Sequence, residues 1–464
     1  MYTVIVAVIF VGIVVGVSIP LTRRSAAPTE NPVYVEYIPG LLVDSPKYPG
    51  LKLSTGLDCQ QIAESGKLVK LNGRQNSYSK DYFHTRPDAA GVFLDPRRKN
   101  NGGWIYVSNS EGDSPEAGVG AITFDAQGNI IDYTRVIPNG VTSKNCGGGK
   151  TPWNTWISCE EHESGQCWQV DPTGERGYAE TNLGGISGGH FESFAVDYRQ
   201  PRSPIFFVTE DDTRGAVRRY IPDKEVVRES LALNDPWRML HEPNGIIEYL
   251  VIQEGSETKS MEIIEIPNVN FTNNNIEVKT RNQENVKKVK MRSGQFYWSS
   301  NETLGRKSAE DYFPGSEGID VVTDESDGSG VLYFVSKKNY RLFRLNLDSF
   351  EYVSTSTLNG SFDGQPDQIK NIVSDNGVLY TYFTEDGKKA NGIHGRDKYH
   401  RVFTVLEGTD DSGAFSSETT GLAFSPDMRH MYAAFQENGV LFDCSRQDGL
   451  SFKGRTIDMR YHKK

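Results

Sequence analysis

A strand pattern that recurs about every fifty residues most constrains how this chain can fold. In each unit an acidic residue begins an apolar strand, a turn follows, and a second strand rich in Tyr and Phe ends in polar residues. Glu317, Asp367 and Glu418 begin three such units and lie 50 and 51 residues apart. A repeat of this length, built from strands and Asp/Asn-Gly turns, is typical of the blades of a β-propeller.

Looser copies of the pattern lie upstream and bring the total to six strand pairs between about residue 88 and the C-terminus. No long amphipathic helix is evident, and 46 glycines and 22 tyrosines agree with short strands joined by tight turns. The sequence therefore predicts an all-β fold, a six-bladed β-propeller in residues 81–464. Residues 224–308 interrupt the repeat, and we interpret them as an insertion that also supplies outer strands.

The start of the chain has a different composition. Tyr2 to Leu21 is a run of twenty uncharged residues, followed by Arg23 and Arg24. Such a run is about as long as a bilayer-spanning helix, and it is consistent with either an uncleaved membrane anchor or a signal peptide. We expect residues 1–24 to be this signal or anchor segment and residues 25–80 to be an N-terminal extension.

The charge balance argues against one class of partner. The chain has 50 basic and 61 acidic side chains, a formal net charge of −11, and no Lys/Arg-rich block. Nucleic-acid phosphates require a basic face, so we expect no nucleic-acid partner.

The five cysteines leave at least one unpaired thiol in an oxidising compartment. Cys159 could pair with Cys167, and Cys59 with Cys444, which would leave Cys146 with another role. Five buried, reduced cysteines are the alternative.

A propeller brings equivalent positions of its repeats together, because the first strand of each blade lines a central channel. The residues at the strand starts are Cys146, Glu192, Glu317, Asp367 and Glu418, and the acids at the ends of the following strands are Glu111, Glu160, Glu161, Glu210, Asp211, Glu385 and Asp386. Carboxylates crowded into one channel repel each other unless a cation neutralises them. Oxygen ligands suit calcium or magnesium, and a thiolate suits iron or another transition metal. The pattern predicts a site for several metal ions.

Residues 145–161 resemble a known signature. They read Asn-Cys-Gly-Gly-Gly-Lys-Thr-Pro-Trp-Asn-Thr-Trp-Ile-Ser-Cys-Glu-Glu, and PhoX-type alkaline phosphatases carry Asn-Cys-Ala-Gly-Gly, Thr-Pro-Trp-Gly-Thr-Trp and Cys-Glu-Glu. Shorter likenesses follow the chain at residues 107–111, 192–197, 208–211, 316–318, 366–368, 384–387 and 418–421.

The resemblance implies a six-bladed propeller that holds iron and calcium in its channel and hydrolyses small phosphate esters outside the cytoplasm, in the extracellular space or a secretory lumen. It implies an iron thiolate ligand at Cys146. It also implies carboxylate ligands at Glu192, Glu317, Asp367 and Glu418, with further candidates at Glu160, Glu161, Glu210 and Glu385. No protein nucleophile is then required.

The chain departs from the family pattern at a position that matters for catalysis. Gly315 stands where the family usually has an arginine, and Asn109-Ser110-Glu111 replaces Asn-His-Glu. An arginine there would hold a phosphate oxygen in a geometry that lysine does not copy. The candidate replacement cations are Lys337, Lys338, Arg214 and Arg396. Two other functions therefore stay open: a non-catalytic metal-binding propeller that binds a ligand or partner, and a calcium-dependent lactonase-like propeller.

Overall fold

The computed structural model describes most of the chain between Pro39 and His462. The described residues are 39–40, 42–73, 77–98, 102–254, 260–264, 270–272, 275–277, 286–359, 361–375, 377–387, 389–397, 400, 402–409, 415–453 and 461–462. The predicted signal or anchor segment, residues 1–24, lies outside them. Within the described ranges, no helix is long and apolar enough to span a bilayer.

Six short strands precede the repeats. They are β1 (Pro39–Gly40), β2 (Leu42–Asp44), β3 (Lys52–Ser54), β4 (Leu57–Glu64), β5 (Leu68–Leu71) and β6 (Ser77–Tyr82). Strands β5 and β6 pair with each other, whereas β3 and β4 each join a sheet formed by residues more than 300 positions later.

Two four-stranded antiparallel sheets come next. The first contains β7 (Pro87–Leu94), β8 (Trp104–Ser110), β9 (Gly118–Phe124) and β10 (Ile130–Ile137). The second contains β11 (Asn145–Lys150), β12 (Trp156–Glu160), β13 (Cys167–Val170) and β14 (Tyr178–Glu180). In both sheets the strands follow one another in chain order, as local hairpins do.

The third and fourth groups of strands are linked. The third contains β15 (Phe191–Asp197), β16 (Ile205–Glu210), β17 (Arg218–Ile221) and β18 (Ile246–Glu254). The stretch that follows contains β19 (Ser260–Ile264), β20 (Asn270–Thr272), β21 (Asn275–Glu277) and β22 (Val286–Ser299). The fourth contains β23 (Ser316–Thr323), β24 (Gly330–Ser336), β25 (Arg341–Asn346) and β26 (Glu351–Ser356). Strand β22 pairs with both β18 and β26, which produces one ten-stranded sheet.

The described part of residues 224–308 also contains helical structure that the strand pattern did not predict. Helix α1 (Lys224–Ala232) begins after Asp223, whose carboxylate accepts a hydrogen bond from the Glu225 N–H. Helix α2 (Glu302–Tyr312) begins after Asn301, which caps it through the Leu304 N–H. Such caps satisfy N–H groups that the first turn leaves without partners. A short 3₁₀ segment, Pro236–Leu240, follows α1.

The last two groups are completed by the N-terminal strands. The fifth contains β27 (Gln365–Val373), β28 (Leu379–Asp386), β29 (Gly392–Asp397) and β30 (Val402–Glu407), to which β3 and β34 (Tyr461–His462) are added. The sixth contains β31 (Thr419–Phe424), β32 (His430–Phe435), β33 (Val440–Arg446) and β4. The remaining 3₁₀ segments are Pro96–Arg98 and Asn182–Gly184.

A disulfide joins the two ends where β4 meets β33. Cys59 and Cys444 are register partners and are bonded to each other, as the sequence analysis proposed. Cys146, Cys159 and Cys167 are free thiols. The proposed Cys159–Cys167 bridge is absent, although these residues are cross-strand partners with sulfur atoms 3.2 Å apart.

The first strand of each group packs beside the first strand of the next. These inner strands are β7, β11, β15, β23, β27 and β31, and β31 packs beside β7. Apolar side chains fill the spaces between neighbouring sheets. Between the sixth and first sheets, Tyr106 packs on Tyr432, and the Trp104 indole N–H donates to the Tyr432 hydroxyl at 2.8 Å. The molecule is all-β apart from its short helices, and its sheets form a propeller-like arrangement.

Candidate metal centre

The acidic residues and the cysteine lie at a repeated irregularity of the inner strands. In the first five groups, the register with the second strand shifts after the first paired residues. The residues in these shifts include Asp88, Cys146, Glu192, Glu317 and Asp367. A bulge at a strand end re-aims the side chain that it contains. The same device, repeated around the ring, directs these five side chains toward one region.

The glycine run after Cys146 allows two inner strands to approach closely. A Cβ atom on Gly147 would lie 1.7 Å from the Glu192 carbonyl oxygen, and one on Gly149 would lie 2.0 Å from that of Phe194. Only glycine permits this contact between backbones. The run therefore brings the start of β11 against the start of β15, with Cys146 near Glu192.

Asn109, at the end of β8, holds the same strand from the other side. Its amide nitrogen donates to the carbonyl oxygens of Cys146 and Gly147 at 2.8 and 2.6 Å. Its own oxygen accepts from the Trp156 indole N–H at 2.9 Å. These hydrogen bonds of a buried side chain hold the backbone that carries the thiol.

Cys146 forms the first possible ligand set, the cysteine cluster, together with Glu111 and Glu161. One ligand atom of each lies within 4.8 Å of the others. The thiol donates to Asp88 Oδ2 at 3.2 Å. Burial raises the pKa of Cys146, and the negative charges of Asp88 and Glu192 raise it further. The thiol therefore keeps its proton unless a metal ion displaces it.

Glu192, Glu317 and Asp367 form the second set, the buried acid cluster. Their ligand atoms also lie within 4.8 Å of one another, and each residue is at most 3% exposed. Burial is the main cause that raises all three pKa values, and neighbouring carboxylates add to it. Glu192 Oε1 is buried and has no hydrogen-bond partner among the described residues. A buried oxygen without a donor fits a cation.

Lys337 lies against the same region and forms what we call the lysine cluster. Its Nζ is 3.2 Å from Asp211 Oδ2, 3.2 Å from Glu317 Oε1 and 2.9 Å from Asp386 Oδ2. Burial alone would lower the pKa of Lys337, but Glu317, Asp211 and Asp386 raise it overall. Lys337 is thus charged and is not an ordinary solvated side chain.

Adjacent acids at one strand end point in different directions. Glu161 belongs to the cysteine cluster, whereas Glu160 is bound within its own sheet. Glu160 accepts hydrogen bonds from the Ser143 N–H at 2.8 Å and from the Gln166 N–H and Trp168 indole N–H at 3.0 Å each. Successive side chains of a strand face opposite sides, which separates the two acids.

The same alternation applies to Glu210 and Glu385. Glu210 pairs with the buried Arg218 at 2.6 Å, and with Arg306 at 3.3 Å. Glu385 accepts from the Asp363, Gly364 and Gly392 N–H groups and contacts His394 Nε2 at 2.9 Å. The structure places neither of them, nor Glu160, in the two ligand sets found among the described residues. Their neighbours Asp211 and Asp386 lie beside Lys337 instead.

Two further acids adjoin the clusters. Glu418, which precedes β31, is partly buried, and its pKa is raised by burial and by Asp367, Asp386 and Asp88. Asp88 was missed by the sequence analysis, yet it is fully buried and contacts the thiol. The sequence could have indicated Asp88, because Pro87-Asp88 at the start of β7 matches Pro366-Asp367 at the equivalent part of β27.

The other candidate cations lie elsewhere or at the edge. Lys338 Nζ is 4.0 Å from Asp211, and Arg396 lines a cavity of about 660 Å³ with Tyr333 and Arg344. Arg86, another residue that the sequence analysis missed, pairs with Glu111 at 2.8 Å and has a half-exposed side chain. Gly315 has φ +62, and a Cβ there would lie 2.9 Å from Asp211 Oδ1. An arginine at 315 would be strained.

Comparison with known proteins agrees with the sequence signature. The sequence model of the family described as alkaline phosphatase PhoX matches residues 115–183. This stretch contains Cys146, Glu160 and Glu161. No curated protein sequence matches the chain.

Among solved structures, the chain is similar to Pseudomonas fluorescens PhoX in complex with vanadate, a transition state analogue. The TM-score is 0.58 at 14% sequence identity, over 90% of this chain and 99% of that chain. A protein of unknown function from Dyadobacter fermentans has a TM-score of 0.44 at 7% identity, over 86% of this chain and 100% of that one. The PQQ domain of pyranose dehydrogenase from Coprinopsis cinerea has 0.39 at 12%, over 88% and 100%.

The predicted resemblance is confirmed at two levels, in a short stretch of sequence and in the fold. The chain resembles the PhoX alkaline phosphatases in residues 115–183, and its propeller-like arrangement of sheets is the fold of Pseudomonas fluorescens PhoX.

Proposed function

We propose that this chain is a metal-dependent phosphomonoester hydrolase of PhoX type, built on a six-bladed β-propeller, that acts on small phosphate esters. The observation that carries the proposal is the convergence of Cys146 with Glu111, Glu161 and the partner-free Glu192 oxygen. Two of these residues, Cys146 and Glu161, lie within the stretch whose sequence resembles PhoX.

The donor atoms divide by chemistry into two kinds of metal site. Cys146, Glu111 and Glu161 offer one sulfur and two carboxylates, which suits iron. Glu192, Glu317 and Asp367 offer oxygen alone, which suits calcium. Metal ions so held supply Lewis acidity, which offsets the negative charge of phosphate oxygens in the transition state.

The chain's own residues prepare the site for an anionic substrate. Cys146 gives up its proton when it binds a metal ion, and Asn109 keeps its backbone in place. Arg86 stands at the edge of the cysteine cluster with its guanidinium partly open to solvent, where it attracts a phosphate group. No protein nucleophile is part of the proposal.

The test is phosphatase activity of the purified, iron- and calcium-loaded chain toward p-nitrophenyl phosphate at alkaline pH. We expect turnover that a chelator abolishes and that added metal restores, and that a serine-directed inhibitor does not change. Metal-loaded protein that shows no turnover contradicts the proposal.

Gly315 favours a second candidate, a non-catalytic metal-binding propeller. The arginine that the family pattern has there is absent, and the backbone at Gly315 has φ +62. Metal bound in stoichiometric amounts without hydrolysis of phosphate esters or lactones would support this candidate. Lactone hydrolysis with calcium alone would instead support a lactonase-like function.

The proposed location is outside the cytoplasm, in the extracellular space or a secretory lumen, with anchoring by residues 1–24 if they are retained. The uncharged run from Tyr2 to Leu21 supports entry into the secretory route. Calcium sites of modest affinity fill at the millimolar concentrations found there. External protease should digest a main body exposed on intact cells, and a luminal one should be protected in sealed vesicles until detergent is added. Digestion by protease outside sealed vesicles, without a secreted form, would exclude this location.

A further inference from the structure

Lys337 occupies a repeated position at which three other sheets carry an acid. Its backbone N–H donates to the carbonyl oxygen of Gly315, the residue before the inner strand β23. Glu111, Glu161 and Asp211 make the equivalent backbone bond in the first three sheets. The fourth sheet therefore places a positive charge where the first three place a negative one.

The surroundings of the ammonium resemble a site for an ion. Asp211, Glu317 and Asp386 come from three successive strand groups, and each has an oxygen within 3.2 Å of Nζ. The Lys337 side chain is 19% exposed, so water screens these pairs weakly. Three carboxylates this close to one point need a cation between them.

We propose that the Lys337 ammonium is a built-in cation that takes the place of one metal ion at Asp211, Glu317 and Asp386. Metal binding is then confined to the cysteine cluster and the buried acid cluster. Glu317 belongs to both the buried acid cluster and the lysine cluster, and its carboxylate bridges an ammonium on one side and a metal position on the other. The inference rests on the proposed function in one respect, that the clusters bind metal.

A metal ion at Asp211, Glu317 and Asp386 is disfavoured while the ammonium lies there, because like charges repel where water is scarce. Removal of the ammonium leaves Asp211, Glu317 and Asp386 without their common partner. The same three carboxylates then form an oxygen-only site, which is the kind that calcium prefers.

The experiment counts bound ions. Wild-type protein and the Lys337→Gln, Lys337→Arg and Lys338→Gln variants are saturated with calcium and iron, desalted, and measured by elemental mass spectrometry and calcium titration calorimetry. We expect Lys337→Gln to bind one more divalent ion per chain than wild type. Lys337→Arg keeps the charge, and Lys338 is 4.0 Å from Asp211 and more exposed, so both should keep the wild-type count.

Folding provides a second measurement that does not depend on activity. Metal-free Lys337→Gln should melt at a lower temperature than metal-free wild type, and calcium should restore it more than it stabilises wild type. Equal ion counts in Lys337→Gln and wild type, or a variant that calcium cannot restore, overturns the inference. Wild type without metal but Lys337→Gln with one ion would overturn the proposed function and the assignment of metal to the other two clusters, while the exclusion of an ion by the Lys337 ammonium would stand.

Discussion

The cysteine cluster and the lysine cluster both bring acidic groups close together, but they differ in what offsets the repulsion between these groups. Both gather negative groups from neighbouring sheets at the ends of the inner strands. In the lysine cluster an ammonium of the chain lies among the carboxylates. In the cysteine cluster the thiol donates a hydrogen bond to the neighbouring Asp88, and the Arg86 guanidinium pairs with Glu111 from a half-exposed position. Equivalent positions of a repeat can therefore carry either an acid or the cation that offsets neighbouring acids.

The largest expected effect comes from removing the sulfur. Cys146→Ser should lose iron and lower phosphatase activity by at least about 100-fold, because a hydroxyl is a poor ligand for a metal that prefers a thiolate. Iron content and p-nitrophenyl phosphate turnover measure it. Cys159→Ser, at another buried free thiol, is the control and should keep both. Retention of iron by Cys146→Ser would show that the thiol is not a ligand of the iron.

The approach of β11 to β15 can be tested through Gly147. In Gly147→Ala the added Cβ would collide with the Glu192 carbonyl, so we expect a loss of about 3 kcal/mol in the free energy of unfolding. Urea unfolding of the metal-free protein measures this. The control is Gly177→Ala, where a Cβ meets nothing within 4 Å but φ is +81, and a cost of about 1 kcal/mol is expected. Equal losses in the two variants would show that the close approach is unimportant.

Glu160 and Glu161 are a matched pair for testing strand alternation. Glu161→Gln should weaken metal binding by about 10-fold, because it removes a charged ligand of the cysteine cluster. Glu160→Gln should leave metal affinity unchanged but lower stability by about 2 kcal/mol, since the carboxylate accepts three hydrogen bonds. Metal titration and urea unfolding separate the two outcomes. Weaker metal binding in Glu160→Gln but not in Glu161→Gln would show that Glu160, and not Glu161, is the ligand.

The smallest effect is a pH dependence of the metal-free protein. Burial, followed by Asp211 and Glu111, raises the pKa of Glu161 to about 7 from its usual 4.5. A carboxyl whose pKa is raised by folding stabilises the protein fully below 4.5, and this stabilisation is lost as pH rises through 7. In chelator, the free energy of unfolding should therefore fall by on the order of 1 kcal/mol between pH 5 and pH 8, which lowers the melting temperature by a few degrees.

Calcium should reverse that trend. Metal ions bind the deprotonated carboxylates, so affinity and stability in excess calcium increase over the same pH range. Differential scanning calorimetry at four pH values, with chelator or with calcium, gives both curves. A metal-free melting temperature that rises toward pH 8 would show that the acids of the clusters are not held protonated by burial.

Much of the candidate site was predictable because most of the repeats carry an acid or Cys146 near the start of their first strand. The acidic strand starts indicated Glu192, Glu317 and Asp367, and the family likeness indicated Cys146, whereas the elimination of paired cysteines relied on a Cys159–Cys167 bridge that the structure lacks. The choice within the Glu-Glu and Glu-Asp pairs was not predictable, because it depends on which of two alternating side chains faces the ring. Lys337 was read as one cation among several, since its sequence neighbours do not reveal that three carboxylates surround it.

The all-β character, the repeat and the likeness to PhoX could be established from the sequence, because strand periodicity and a local signature are properties of short segments. Tertiary structure alone decided which acids share the proposed metal centre, how closely β11 lies to β15, and that Lys337 lies among Asp211, Glu317 and Asp386. Those outcomes depend on distances between groups that lie as far apart in the chain as Glu192 and Asp367, and the closure of the ring of inner strands sets such distances.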